Sequence, residues 1–412
     1  MTDPSPPSTP RQTWLATLGW AAFLAASWTW CIGMFLPVLL VRDFAAWGFV
    51  VFAAPNVIGA AAMGWVLRRS SDSTAIVQAH RPALAAFSIV TITFQCFFAV
   101  MVLSRFANFF DELQALLYAL FFVASLAAFF RGGKWAAAAA LLASLTLFAL
   151  YLSAASWPAI SRWPVHGPLL TGVTPQPTSL VWLAPVTCFG FLLCPYLDLT
   201  FHRARTSLDP VRSRIAFGVG FGVMFLAMIL FTLLYSGEFF DRPLSSDRKA
   251  LAFVLVHITL QMGVTVGVHA HSIARLPRSN WRSLGLVVTA LAIAAVAVLA
   301  LPVSGKLRGL ARMAIDPSFE DGYRLFMSFY GLIFPAYVWL CMIPVRGETG
   351  TQRPSIAKLR AFAIAVALAA PCFWMGFIER QTWWLGPGLF IVLAARAMLP
   401  RAKAGGPAPR TD

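Results

Sequence analysis

Apolar runs of about twenty residues recur along the whole chain, and short polar stretches carrying most of the Arg and Lys separate them. A helix of that length spans the hydrocarbon core of a bilayer. The pattern therefore predicts twelve membrane helices, over roughly 13–41, 44–67, 83–104, 112–130, 134–154, 179–201, 214–235, 249–271, 283–302, 324–345, 358–378 and 382–399. The expected fold class is an all-α polytopic membrane protein. The second run stops at Arg68-Arg69 and the fourth at Arg131-Gly132-Gly133, a tight turn. Residues 155–178 hold five prolines and two tryptophans and read as an interfacial loop, since Trp prefers the headgroup level. Segments 1–12 and 401–412 read as disordered tails; the first lacks the basic start of a signal peptide, so the first helix is expected to be retained.

Composition sharpens the class. Apolar residues make up 59% and charged residues 12%, about half the usual charged share, which excludes an ordinary soluble domain. The net charge of +16 does not imply a nucleic-acid partner, because the basic residues sit in loops between apolar runs and act there as topology determinants. With both termini on the cytoplasmic side, 21 of the 32 Lys/Arg fall inside, so an inner (plasma) membrane protein with cytoplasmic N- and C-termini is expected. Acids and bases together in 236–249 and 303–324 mark these outer loops as ordered caps over an entrance. The six cysteines all lie in apolar segments and form neither a disulfide framework nor a zinc pattern, so no metal site is expected.

Five helices over 13–154 and five over 179–345 make two halves that enter the membrane from opposite sides, an inverted repeat, with two further helices in 346–400. Each half opens on a helix interrupted by Gly and Pro. Aligned on Cys31 and Cys188, the two stretches read C-I-G-M-F-L-P and C-F-G-F-L-L-C-P. Paired interruptions of this kind point to a transporter's binding site.

The segment Cys31-Ile32-Gly33-Met34-Phe35-Leu36-Pro37 resembles the Ile-Gly…Phe…Leu-Pro stretch of the first helix in amino acid–polyamine–organocation permeases. The resemblance implies a LeuT-like five-plus-five fold with two extra C-terminal helices, and transport of a small solute. The chain departs from that pattern at the second glycine of the helix 1 break. It also has no adjacent Ser-Thr pair in helix 8 and no mid-helix Lys in helix 5, which leaves sodium and proton coupling both open.

A broken helix frees N–H groups toward a carboxylate and C=O groups toward a cation. The substrate-binding candidates are therefore Trp30, Cys31, Gly33, Phe35 and Pro37 in the first stretch, and Cys188, Gly190, Phe191 and Pro195 in the second, with unwinding expected at Gly33 and Gly190. Phe35, Phe189 and Phe191 would form an apolar wall. The structural alternative is that both glycines let helices pack closely and the prolines only kink them. In helix 8, His257, Gln261, Thr265 and His269 recur every fourth residue and form one polar face. His257 and Gln261 join the substrate candidates, with Thr265 and His257 as ion-coupling candidates; the alternative is hydrogen-bond glue between helices. Gln95 and Thr91 lie one turn apart in helix 3 and could line the same cavity. Asn56, next to Pro55, and Asp198 are gate or structural candidates. Asp198 is expected to pair with the bases of His202-Arg203-Ala204-Arg205, and Glu379 with Arg380. His269-x-His271 has no further ligand cluster beside it.

These readings favour a secondary active transporter moving a small neutral or carboxylate-bearing solute by alternating access. Its partners would be the lipid bilayer and that solute, with no cofactor beyond a coupled sodium ion or proton. The oligomeric state stays open. No catalytic constellation such as HExxH or a phosphate loop is present, so an enzyme is not expected. The alternatives are a membrane-embedded enzyme or assembly factor acting on lipid or lipid-linked sugar, and a sensor or scaffold that kept the fold without transport.

Overall fold

A computed structural model of the chain describes residues 14–106, 111–155, 177–239, 248–276, 319–345, 348 and 351–399. The two tails, the Pro/Trp loop, the predicted ninth helix and most of the two acidic-basic loops lie outside the described residues. Every regular element among those described is helical.

The first predicted helix is two helices, α1 (Trp14–Trp28) and α2 (Cys31–Phe44), whose axes differ by 54°. Local hydroxyls mark the interruption. Ser27 Oγ donates to the Leu24 carbonyl at 3.1 Å and Thr29 Oγ1 to the Ala25 carbonyl at 2.8 Å, bonds that compete with the helical ladder. Trp30 is extended, with φ −84° and ψ 177°. The expected unwinding at Gly33 is therefore corrected: the break is at Thr29–Trp30, and Gly33 and Pro37 are both helical inside α2. Helix α3 (Ala46–Val66) follows after one residue, Ala45, at φ 56°. A short helix α4 (Ser70–Ala79), too polar for the apolar pattern to show, leads into α5 (Arg81–Phe106). Then come α6 (Asp111–Phe130) and α7 (Lys134–Ala154), joined at Gly132 and Gly133 with φ 71° and 82°, where a side chain would be strained.

The second half opens on α8 (Leu180–Leu193), which runs straight through Gly190. A tighter turn, Cys194–Leu197, holds Pro195, and Asp198 is extended with ψ 112° before α9 (Leu199–Ser207). The second interruption thus lies at Asp198, not at Gly190. Gly190 serves close packing, since a Cβ there would sit 2.7 Å from the Tyr330 carbonyl. Helices α10 (Pro210–Val219) and α11 (Leu226–Tyr235) are joined by a π-helical stretch, Gly220–Phe225. They precede α12 (Arg248–Ala274), α13 (Phe319–Ser328) and α14 (Phe334–Tyr337), the last two separated by a π-turn at Phe329–Ile333. Helices α15 (Ile356–Phe377) and α16 (Leu385–Ala395) close the chain.

Among the described residues, nine helices are long and apolar enough to cross a membrane, ten when α1 and α2 count as one span. In α6 and α15 only 22% of the spanning window is buried within the protein, although mean hydropathy there is 2.1 and 1.8. Their bare faces carry Phe122, Val123, Leu126, Ile364 and Leu368. Large apolar surfaces of that kind are costly in water and suited to lipid, so the chain reads as a multi-pass membrane protein. Helix α12 packs on α5, α6 and α7, while α3 packs on α8, α10 and α2, and α1 touches both sets. The two interruptions lie where the sets meet.

Candidate functional site

The two interrupted helices touch at their breaks. Thr200 Oγ1, in the first turn of α9, lies 3.2 Å from Ser27 Oγ, near the end of α1. The first break is answered by groups from other helices. The Cys31 N–H donates to Gln95 Oε1 at 3.3 Å, and Thr265 Oγ1 to the Ala26 carbonyl at 3.4 Å. The phenols of Tyr323 and Tyr235 donate to the carbonyls of Cys31 and Met34 at 3.0 and 2.6 Å. The second break caps itself: Asp198 Oδ1 accepts from the Thr200 N–H and hydroxyl, both at 2.7 Å.

Beside the breaks is a small cavity of about 10 Å³, lined by Trp28, Trp30, Ile32, Gly33, Asn56, Phe191, Cys194 and Tyr330. That is about the room one water molecule occupies. Trp30 is fully buried against Trp28, Phe87, Tyr330 and the His269 ring, with ring centres 4.3 to 5.7 Å away. Its Nε1 donates to the Ser27 carbonyl. Asn56 Oδ1 accepts from Trp28 Nε1 at 2.6 Å, so it answers an indole. Thr91 Oγ1 shares a hydrogen bond of 3.0 Å with the Tyr330 phenol. A Cβ on Gly59 would run into the Phe191 carbonyl, so glycine there lets α3 and α8 approach closely enough to wall the cavity.

Of the predicted residues, Trp30, Gly33, Asn56 and Phe191 line this cavity, and Cys31, Gln95, Thr265 and Asp198 belong to the breaks around it. Others are placed elsewhere. Phe35 packs among Phe98, Phe239 and Tyr323. Pro37, Cys188 and Pro195 do not line the cavity, and Phe189 faces Trp339. The polar face of α12 divides. His257 Nδ1 bonds Ser144 Oγ at 2.8 Å, and Gln261 Nε2 donates to Ser144 Oγ and the Ala140 carbonyl, so both are turned to α7 rather than to the cavity. Thr265 and His269 instead reach the first break. Asp198 makes no ion pair with Arg203 or Arg205; its only charged-type neighbour among the described residues is His269, with Oδ2 3.9 Å from Nε2.

Two features escaped the sequence. The first is a pocket of about 70 Å³ that shares Phe191 and Tyr330 with the inner cavity and extends past Leu36, Leu183, Met327 and Phe377 to Asp43 and Arg324. The second is a cluster of charges there. Glu320 accepts two hydrogen bonds from Arg42 at 2.8 Å and one from Arg324 at 2.8 Å, and lies 3.2 Å from Arg380. Asp43 pairs with Arg42 at 2.6 Å and Arg324 at 2.9 Å. Arg380 thus pairs with Glu320, while Glu379 accepts from Trp374 Nε1, which corrects the expected Glu379–Arg380 pair. The sequence signal was present as charges at three run ends, but nothing in it brings 42, 320 and 380 together.

At the opposite end, His80 Nδ1 bonds the Tyr337 phenol at 3.1 Å and Arg205 Nε donates to the Leu67 carbonyl at 2.8 Å. Burial pushes His80 down to about 4, and the Lys358 ammonium adds to the shift. No protein-family model and no curated protein matches the chain.

Proposed function

We propose that the chain is a secondary transporter that moves a small neutral or carboxylate-bearing organic solute across a membrane by alternating access, on a LeuT-like inverted repeat. The observation that carries this reading is the meeting of two interrupted helices at one point beside a small, aromatic-walled cavity. Discontinuous helices at a repeat interface offer a solute free N–H and C=O groups without exposing them to lipid. The cavity holds about one water, so this is a closed form with the solute site collapsed. From the Glu320 end, a solute would pass the charge cluster, the 70 Å³ pocket and then the Phe191–Tyr330 pair. Within the paired cluster three arginines face two acids, guanidinium groups that would recognise a carboxylate better than a cation.

The test is uptake by the full chain in liposomes, using a radiolabelled panel of neutral amino acids, acidic amino acids and small carboxylates under sodium or proton gradients. Uptake of at least one solute, lost in Trp30→Ala while the protein still folds, is expected. Failure to move any member under either gradient counts against the proposal.

A further inference from the structure

We infer that Asp198 and His269 form a proton-binding pair that couples the two helix breaks, so that the ion carried with the solute is a proton. The coupling role rests on the transporter reading; the proton site itself does not.

The geometry is specific. Both side chains are fully buried. Asp198 Oδ1 is occupied by the Thr200 N–H and hydroxyl, whereas Oδ2 makes no hydrogen bond, with the Phe201 N–H also beside the carboxylate. His269 Nδ1 bonds Ser88 Oγ at 3.1 Å, whereas Nε2 makes no hydrogen bond, with the Ser27 carbonyl beside the ring. The two atoms lie 3.9 Å apart. A carboxylate and an imidazole each leaving one atom open toward the other hold one proton between them. It sits either on Oδ2, with a neutral ring, or on Nε2, with a carboxylate. Either form is net neutral. Loss of the proton leaves a lone buried carboxylate, which is expensive at this depth. Release therefore requires that the break be hydrated from one side, which is what opening the site does.

A metal ion fits poorly. Asp198 is the single acid here, and no group of three or more His, Cys, Asp or Glu among the described residues can hold a metal ion. The Tyr330 phenol, hydrogen-bonded to Thr91, is a further ionisable group close enough to interact electrostatically with Asp198. On its own helix, His202 turns Nε2 to the Tyr196 carbonyl at 2.9 Å. The pair links to both helix breaks directly: Asp198 accepts from the Thr200 hydroxyl, whose oxygen lies 3.2 Å from Ser27 Oγ, and His269 stacks edge-on against Trp30.

The experiment is infrared difference spectroscopy of the full chain in lipid across a pH titration, reading the carbonyl stretch of a protonated buried carboxylic acid. The wild type should show a titrating band that Asp198→Asn removes, and His269→Gln should shift its midpoint. Absence of a band attributable to Asp198, or a midpoint that His269→Gln leaves in place, overturns the pairing. Should Asp198→Asn fail to fold, Ser88→Ala, which frees His269 Nδ1, must move the midpoint. The band is read without solute, so its absence leaves the transporter reading standing. An intact band with no uptake would sink transport and not the proton site.

Discussion

The charge cluster at the Glu320 end and the polar cluster at the helix breaks are both built from buried or half-buried ionisable groups, yet they are completed in opposite ways. At the outer cluster, Arg42 and Arg324 each reach Glu320 and Asp43, and Arg380 adds a further contact to Glu320. At the breaks, Asp198 Oδ2, His269 Nε2 and Gln95 Nε2 have no hydrogen-bond partner. A completed network holds two elements in one arrangement, whereas groups left short of partners keep capacity for something that arrives. The outer cluster ties α2 to α13 and to Arg380, three residues beyond α15, and under the transporter proposal would act as a latch. Under the same proposal the inner one would be the place where protons and solute are exchanged.

Breaking the latch has the largest expected effect. Glu320→Ala leaves three guanidinium groups facing one another with only Asp43 between them. Removing one partner of a largely buried pair costs about 3–5 kcal/mol, and the partial exposure of Glu320 puts this case at the low end. A lower melting temperature in detergent and faster thiol labelling of a cysteine placed at Leu36, in the 70 Å³ pocket, are the measurements. Unchanged labelling would mean that the cluster braces the fold without closing an entrance. Next in size is Gly59→Ala. Its methyl group meets the Phe191 backbone, so α3 and α8 must separate, at about 1–3 kcal/mol for an overpacked contact. Solute binding should suffer more than stability, since Phe191 walls both the cavity and the pocket. A variant with normal binding would show that the spacing of α3 and α8 is not critical to the site.

How much of this the sequence made legible follows from what each feature depends on. The spans were legible because a twenty-residue apolar run has one cheap solution in a bilayer. That the chain is interrupted near Cys31 and again after Cys188 was legible too, but the positions were not. Gly33 and Pro37 drew attention as helix breakers, while the chain breaks at Thr29–Trp30, beside hydroxyls that bond back to their own helix. At Gly190 the structural alternative holds: the residue is helical and gives a close approach to Tyr330. The four-residue spacing of His257, Gln261, Thr265 and His269 reads as one polar face along a single helix. It could not show that α7 would take the first two and the break the last two, because neighbours along a helix axis are set by packing. The convergence of Arg42, Glu320 and Arg380, and the place of the Tyr330 phenol beside Thr91, were invisible for the same reason.

Asn56→Leu tests the inner cluster more gently. It removes the acceptor of the Trp28 indole while keeping the branching of the side chain, and a hydrogen bond between membrane helices is worth about 0.6–2 kcal/mol. The melting temperature should fall slightly and Trp emission should shift as Trp28 loses its partner. If the inner site takes up solute beside Asn56, binding falls by more than stability does; equal losses would make Asn56 purely structural.

The smallest expected effect probes a third region, the His80 end, and asks whether it resembles the latch or the exchange site. His80 is buried and bonded to Tyr337, with Lys358 and His202 as its charged or ionisable neighbours. Its folded value of about 4 lies below the 6.5 of the free imidazole, so between those limits the unfolded chain binds the extra proton. Stability should therefore be full above pH 6.5 and decline as pH falls toward 4. In His80→Asn that part of the slope should flatten, as read from melting temperatures across the range. A flattened slope with unchanged solute uptake would class this end with the latch, as a closed and completed contact. A flattened slope accompanied by a changed pH profile of uptake would make it a second point where protons bear on transport.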